Sequence, residues 1–156
     1  MATVFLHAPQ IFHNVCLLAR TLEVFGQREC WVFDPNGLIR DHYGKVRTRE
    51  LRNVSAGAFE KISWKRVEDP ARVLDEHLGR VVAAVAEPSA VPLARFAFVS
   101  TDLLLFGSES RGLPEAVRAK SDAAITIPSH GVTQSLNLAV AAGVVLYEWQ
   151  RQLERA

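Results

Sequence analysis

The chain has 156 residues, 49% of them apolar, and a formal net charge of +1. That length makes one domain, spanning residues 1–156, with ample material for a packed core. No apolar run approaches the roughly 20 residues of a membrane span, and the near-neutral charge excludes a globally basic nucleic-acid binder, so any RNA affinity has to come from local charge.

The N-terminal Met1-Ala2-Thr3-Val4-Phe5 has no basic region ahead of its apolar residues and does not resemble a signal peptide. Thr3-Val4-Phe5-Leu6 is the first strand, ended by Pro9. Ile11, Val15, Leu18, Leu22 and Phe25 then recur at three-and-four spacing, the apolar face of a helix, which Gly26 closes. Cys30 to Phe33 is a second strand, and Asp34-Pro35-Asn36-Gly37 a turn. Strand, helix, strand in this order is the unit of a parallel sheet. The two cysteines, Cys16 and Cys30, fit neither a metal spacing nor a disulfide framework and read as buried, reduced thiols of a cytoplasmic protein.

Residues 40–66 are the most basic stretch: Arg40, Lys45, Arg47, Arg49, Arg52, Lys61, Lys65 and Arg66 outnumber Asp41, Glu50 and Glu60. Such a stretch is either a solvated helical face, the commoner case, or the place where a polyanion lies. Ile62 to Val67 reads as an edge strand and Pro70 to Leu78 as a helix opened by proline. Arg80 to Ala86 and Asp102 to Phe106 are buried strands, and Ala124 to Ile127 is the last strand. A short helix is expected from Pro114, and a final helix from about Ser135 to Gln152, with Thr133 or Ser135 as its cap.

Three strand ends, after Ala86, Phe106 and Ile127, run into loops suited to a ligand, because open α/β sheets bind at the carboxyl ends of their strands. Gly107-Ser108-Glu109-Ser110-Arg111-Gly112-Leu113-Pro114 is neither a phosphate loop, nor a dinucleotide fingerprint, nor a nucleophile elbow. The five histidines show no metal spacing. The expectation is one composite pocket, built largely from backbone, with no metal.

These stretches resemble the SpoU (TrmH-like) branch of the SPOUT RNA methyltransferases. The resemblance lies in Asn14-x5-Arg20-Thr21 with Phe25-Gly26, in Phe106 to Pro114, and in Ile127-Pro128 followed by Gln134-Ser135-Leu136-Asn137-Leu138 and Tyr147-Glu148. The ordered set brackets residues 9–150. It implies an α/β fold, a mostly parallel sheet flanked by helices, with a C-terminal deep trefoil knot that forms the S-adenosylmethionine pocket, in a homodimer with the pocket at the subunit interface. The implied reaction is methyl transfer to a ribose 2′-hydroxyl of RNA, most of all tRNA; rRNA and a non-catalytic RNA-binding module on the same scaffold are the alternatives.

The resemblance further implies a catalytic set of Arg20, Asn14, Glu109, Ser135 and Asn137, with Glu109 orienting Arg20 or Asn137. Cofactor contacts are implied at Val85 or Ala86, Gly107, Ile127, Ser135 and Leu136. A guanidinium keeps its proton, so orienting phosphate or stabilising charge suits Arg20 better than accepting a proton. Several departures stand out. The stretch from His13 to Ala19 lacks the glycine and second asparagine of many members, Ala86-Glu87-Pro88-Ser89 lacks the usual Thr- and Gly-containing turn, and Gln134 stands where many carry arginine. Gln-Ser-Leu-Asn is closer to the subgroup acting on a D-loop guanosine, the compact size to the subgroup acting on the wobble nucleotide, so the nucleotide stays open.

Overall fold

A computed structural model describes residues 2–39 and 48–154. Seven strands form its single sheet: β1 (Thr3–His7), β2 (Glu29–Phe33), β3 (Ser63–Arg66), β4 (Val81–Ala84), β5 (Val91–Pro92), β6 (Leu103–Phe106) and β7 (Ala123–Thr126). Their spatial order is β3-β2-β1-β6-β4-β7-β5, and every pairing is parallel. The helices are α1 (Phe12–Val24), α2 (Thr48–Ser55), α3 (Pro70–Glu76), α4 (Glu115–Arg118) and α5 (Leu138–Leu153), with short 3-10 turns at Ala58–Lys61 and Leu93–Arg95.

The central strands are apolar on both faces because helices cover both. Side chains alternate across a strand, and the two cores follow that alternation. Val4, Leu6, Val82, Leu104 and Phe106 join the core containing α1 and α5 residues such as Leu18, Leu22, Ala142 and Leu146. Phe5, Val81, Ala83, Leu103 and Leu105 join the opposite core, with Leu74 of α3 and Val117 of α4. Cys16 and Cys30 are buried free thiols in the first core, where burial pushes the Cys30 thiol well above its ordinary range.

Helix ends follow local chemistry. At the end of α1, Gln27 N–H donates to the Leu22 carbonyl and Gly26 N–H to the Glu23 carbonyl, the paired closure that sequence reading assigned to Gly26. The start of α5 differs from expectation. Neither Thr133 nor Ser135 caps it; Asn137 does, its side-chain oxygen accepting from Ala139 N–H at 2.9 Å. The helix therefore begins at Leu138, three residues later than expected, and residues 127–137 remain a loop, most of which lines the cleft described below. The short edge strand β5 escaped the sequence reading, since two residues carry no periodicity, and α2 falls within the basic stretch read as a solvated helical face or a polyanion contact.

Strand β7 is laid down last yet lies between β4 and β5. The segment 85–90 that joins those two neighbours consequently spans the end from which the chain leaves β7, and Val85 N–H donates to the Ile125 carbonyl there. This arrangement gathers the carboxyl ends of β6, β4 and β7 at one place.

In the basic stretch, Arg40, Lys45, Arg47 and the Arg49 side chain lie outside the described residues. The remaining four cations each meet a carboxylate: Arg52 with Glu60, Lys61 with Glu23, Lys65 with Glu29, and Arg66 with Glu68. Such exposed pairs contribute little to stability, but they leave those cations partly neutralised.

Candidate active site

The gathered strand ends open into a cleft of about 770 Å³, within the range of cofactor sites. Val85, Ile127, Leu136 and Leu138 form its apolar walls, and Asn14, Glu109, Ser135 and Asn137 bring polar groups. Ala86 and Gly107 also line it. Nine of the ten expected site and cofactor residues thus face one cleft; Arg20 does not. It lies exposed on α1, away from the lining.

Two helices start at this cleft, and their first N–H groups need acceptors. Ile11, which flanks α1, has no side chain able to cap it. Glu109 supplies the cap from 98 residues away: Oε2 accepts from Gln10 N–H at 2.8 Å, and Oε1 from Ile11 N–H at 3.1 Å. A carboxylate at the positive end of a helix is well placed electrostatically. Oε1 also accepts from the side-chain amide of Asn14 at 2.9 Å. Asn14 Oδ1 in turn accepts from Asn137 Nδ2 at 2.8 Å, and Asn137 Oδ1 caps α5.

The direction of this relay is dictated by its ends. An ionised carboxylate only accepts and a backbone N–H only donates, so both asparagine amides have one consistent orientation between them. Glu109 therefore bonds neither Arg20 nor Asn137 directly; Asn14 stands between the carboxylate and Asn137. The physical reason is reach. Asn14 is buried in the first turn of α1, whereas Arg20 is nearly two turns further along.

The loop carrying Glu109 is itself held tightly. Ser108 and Gly112 exchange both backbone hydrogen bonds, at 3.0 and 2.9 Å. Gly112 takes a φ of +62°, which favours glycine, and a Cβ on Gly107 would stand 2.3 Å from the Gly112 carbonyl carbon. Gln10 fastens the tip: its Oε1 accepts from Ser110 N–H at 3.1 Å and from Ser110 Oγ at 2.6 Å. Sequence reading missed Gln10, since nothing in a lone polar residue after a proline signals a contact 100 positions away. It missed also Glu87 and Arg118, both in the cleft lining, whose carboxylate and guanidinium meet at 2.5 Å.

Among the described residues no group of three or more His, Cys, Asp or Glu side chains could hold a metal ion, and no helix is long and apolar enough to cross a membrane.

Comparison with known proteins agrees with this geometry. The SpoU rRNA Methylase family pattern matches residues 1–147. A tRNA (cytidine(34)-2′-O)-methyltransferase of Ancylobacter novellus is 34% identical, over 94% of this chain and 90% of its own length. A tRNA (guanosine(18)-2′-O)-methyltransferase of Thermus thermophilus is 31% identical, over 92% of this chain and 71% of its own. Among solved structures, one described as giving structural insights into the 2-OH methylation of C/U34 on tRNA superposes with a TM-score of 0.84 at 32% identity, covering 100% of this chain and 98% of that one. An AdoMet-bound rRNA methyltransferase from Sinorhizobium meliloti superposes at 0.82 with 26% identity, covering 97% of this chain and 56% of that one.

Proposed function

We propose, from the premise that this chain belongs to the SpoU methylase family, that it transfers a methyl group from S-adenosylmethionine to a ribose 2′-hydroxyl of tRNA. The observation that carries the reading is the relay from Glu109 through Asn14 to Asn137, set in the cleft at the strand ends. tRNA is favoured over rRNA because the relatives matched along both their own length and this chain's are named as tRNA ribose methyltransferases. A cytoplasmic location fits a tRNA substrate.

The cleft suits the cofactor. Its apolar walls can sandwich a purine, and strand ends offer free backbone donors and acceptors to a base edge and a ribose. When bound, the cofactor supplies a methyl group already activated on a sulfonium, so the protein needs neither metal nor covalent intermediate. What remains for the chain is alignment, and help in removing the hydroxyl proton. Asn14 and Asn137 hold fixed amides at the cleft wall, Ser135 lies on the loop beside them, and Glu109 keeps the start of α1 in place. Val85, Ala86, Gly107, Ile127, Ser135 and Leu136 belong to the cofactor side of the cleft.

Arg20 gains a role in a homodimer. Val140, Val144 and Tyr147 form an exposed stripe on α5, the neighbour of α1, which exposes Val24 as well as Arg20. Covering that face with a second copy would bury the stripe and let Arg20 of one subunit serve the cleft of the other, where it orients phosphate. The same reading carries a deep trefoil knot, supported by the position of β7 between two strands already joined across its exit.

Transfer of labelled methyl from S-adenosylmethionine to bulk tRNA and, separately, to rRNA, followed by nucleoside mass spectrometry, tests the reading. A 2′-O-methylated nucleoside from tRNA is expected, and its base identifies the target. Cofactor binding without transfer to either RNA would favour the non-catalytic module.

A further inference from the structure

Four charged side chains line the cleft: Glu87, Glu109, Arg111 and Arg118. Three of them are occupied. Glu87 and Arg118 pair with each other, and the Glu109 carboxylate receives Gln10, Ile11 and Asn14. Arg111 forms no ion pair or hydrogen bond among the described residues.

The loop leaves it free by construction. Residues 109–111 are the tip of a turn closed by the Ser108–Gly112 bonds. Glu109 and Ser110 are both fastened to the start of α1, through the Gln10, Ile11 and Asn14 donors and through Gln10 Oε1. The third tip residue has nothing to hold on its own chain and projects a planar cation with five donors at the cleft. The contrast with Arg52, Lys61, Lys65 and Arg66 is direct, since each of those already meets a carboxylate.

We infer that Arg111 is a phosphate anchor, taking a backbone phosphate of the RNA strand beside the ribose being methylated. This rests on the reaction proposed above and adds a positioning contact to it. A ribose 2′-hydroxyl always has phosphodiesters next to it, and a guanidinium bonds two phosphate oxygens at once. An anchor at a fixed loop tip sets the distance from strand to cleft, which is what alignment for transfer needs. Glu109 on the same tip thereby holds both the helix start and the place where the RNA strand rests.

The test compares wild type, Arg111→Ala and Arg111→Lys for binding to bulk tRNA across a salt series, for S-adenosylmethionine binding, and for methyl transfer. Arg111→Ala should weaken tRNA binding about tenfold and lower the salt slope by about one, with cofactor affinity unchanged. Arg111→Lys should restore the slope, because charge returns, but only part of the affinity, because the fork is gone. A parallel loss of cofactor affinity would overturn the inference by assigning the guanidinium to the cofactor carboxylate. Unchanged tRNA affinity and slope, with wild type active, would sink the anchor and leave the reaction standing. Loss of tRNA affinity in Arg111→Ala alongside a wild type that transfers no methyl would keep the anchor and sink the reaction.

Discussion

Strand β6 carries a carboxylate at each end, and the two do opposite work. Asp102, just before the strand, has a fully buried side chain. Its Oδ1 accepts from Arg80 Nε at 2.8 Å and Oδ2 from Arg80 Nη2 at 2.8 Å, with Val99 N–H completing the set. Arg80 also bonds the Ala97 carbonyl and lies over the Phe96 ring, 5.1 Å from its centroid. Glu109, three residues after the strand, is equally well supplied with donors, yet it lines an open cleft and receives the Asn14 amide, which in turn receives that of Asn137, rather than an arginine. A carboxylate at the amino end of the strands closes the fold; one at the carboxyl end organises a site. The difference follows from the sheet: in a parallel sheet the loops that leave the strands diverge and make clefts at one end only.

Substitutions should break this contrast into separable effects. The largest change in stability is expected from Asp102→Ala, which strands the partly buried Arg80 and the Val99 N–H. Chemical denaturation should read a loss of about 3 kcal/mol, while methyl transfer per folded molecule stays near wild type. A comparable loss of transfer at a temperature where the variant is folded would mean that the two ends of the strand are coupled. Glu109→Ala should do the reverse. Transfer should fall about a hundredfold, about 2.7 kcal/mol in barrier terms, against a stability cost of about 1–2 kcal/mol for the lost cap. Asn137→Ala should cost about 1 kcal/mol of stability through the α5 cap and about tenfold in transfer, with cofactor binding retained; near-normal transfer would remove Asn137 from the site.

The smallest effect sharpens the comparison from a third carboxyl-end position. His7 ends β1, buried, with its Nδ1 unpartnered among the described residues and its ring 5.1 Å from that of Phe33. Desolvation lowers its pKa below the ordinary 6.5. The folded state then binds its proton less readily than the unfolded chain. Above about pH 6.5 both forms are neutral and His7 has no pH effect; as pH falls below that value, stability is lost until the folded ring itself protonates. Thermal unfolding between pH 7.5 and 5.5 should show this drop, and His7→Phe should flatten it. An unchanged profile would mean that other groups carry the acid sensitivity.

Much of the architecture was legible because it is written in local pattern. The spacing of Ile11, Val15, Leu18 and Leu22 marks α1, and unbroken apolar runs mark β1, β4 and β6 as strands covered on both faces. The cap of α5 was misread because Thr133, Ser135 and Asn137 are all competent N-caps and only the loop path chooses among them. Glu109 illustrates a deeper limit. Its place in the site could be expected from resemblance, but its partners at Gln10, Ile11 and Asn14 lie 95 to 99 residues away.

Local pattern along the chain sets which segments become strands and helices, that the sheet is parallel, and that ligand-ready turns follow three strands. Periodicity, breakers and small residues at strand ends are short-range signals, and the chain carries them openly. Long-range packing alone places β7 between β4 and β5, sets Asn14 between Glu109 and Asn137, leaves Arg20 outside the cleft of its own chain, and leaves Arg111 as the cation in that cleft with no partner among the described residues. These depend on which distant groups satisfy one another once the chain has closed, and hydrogen-bond satisfaction is a property of the packed whole.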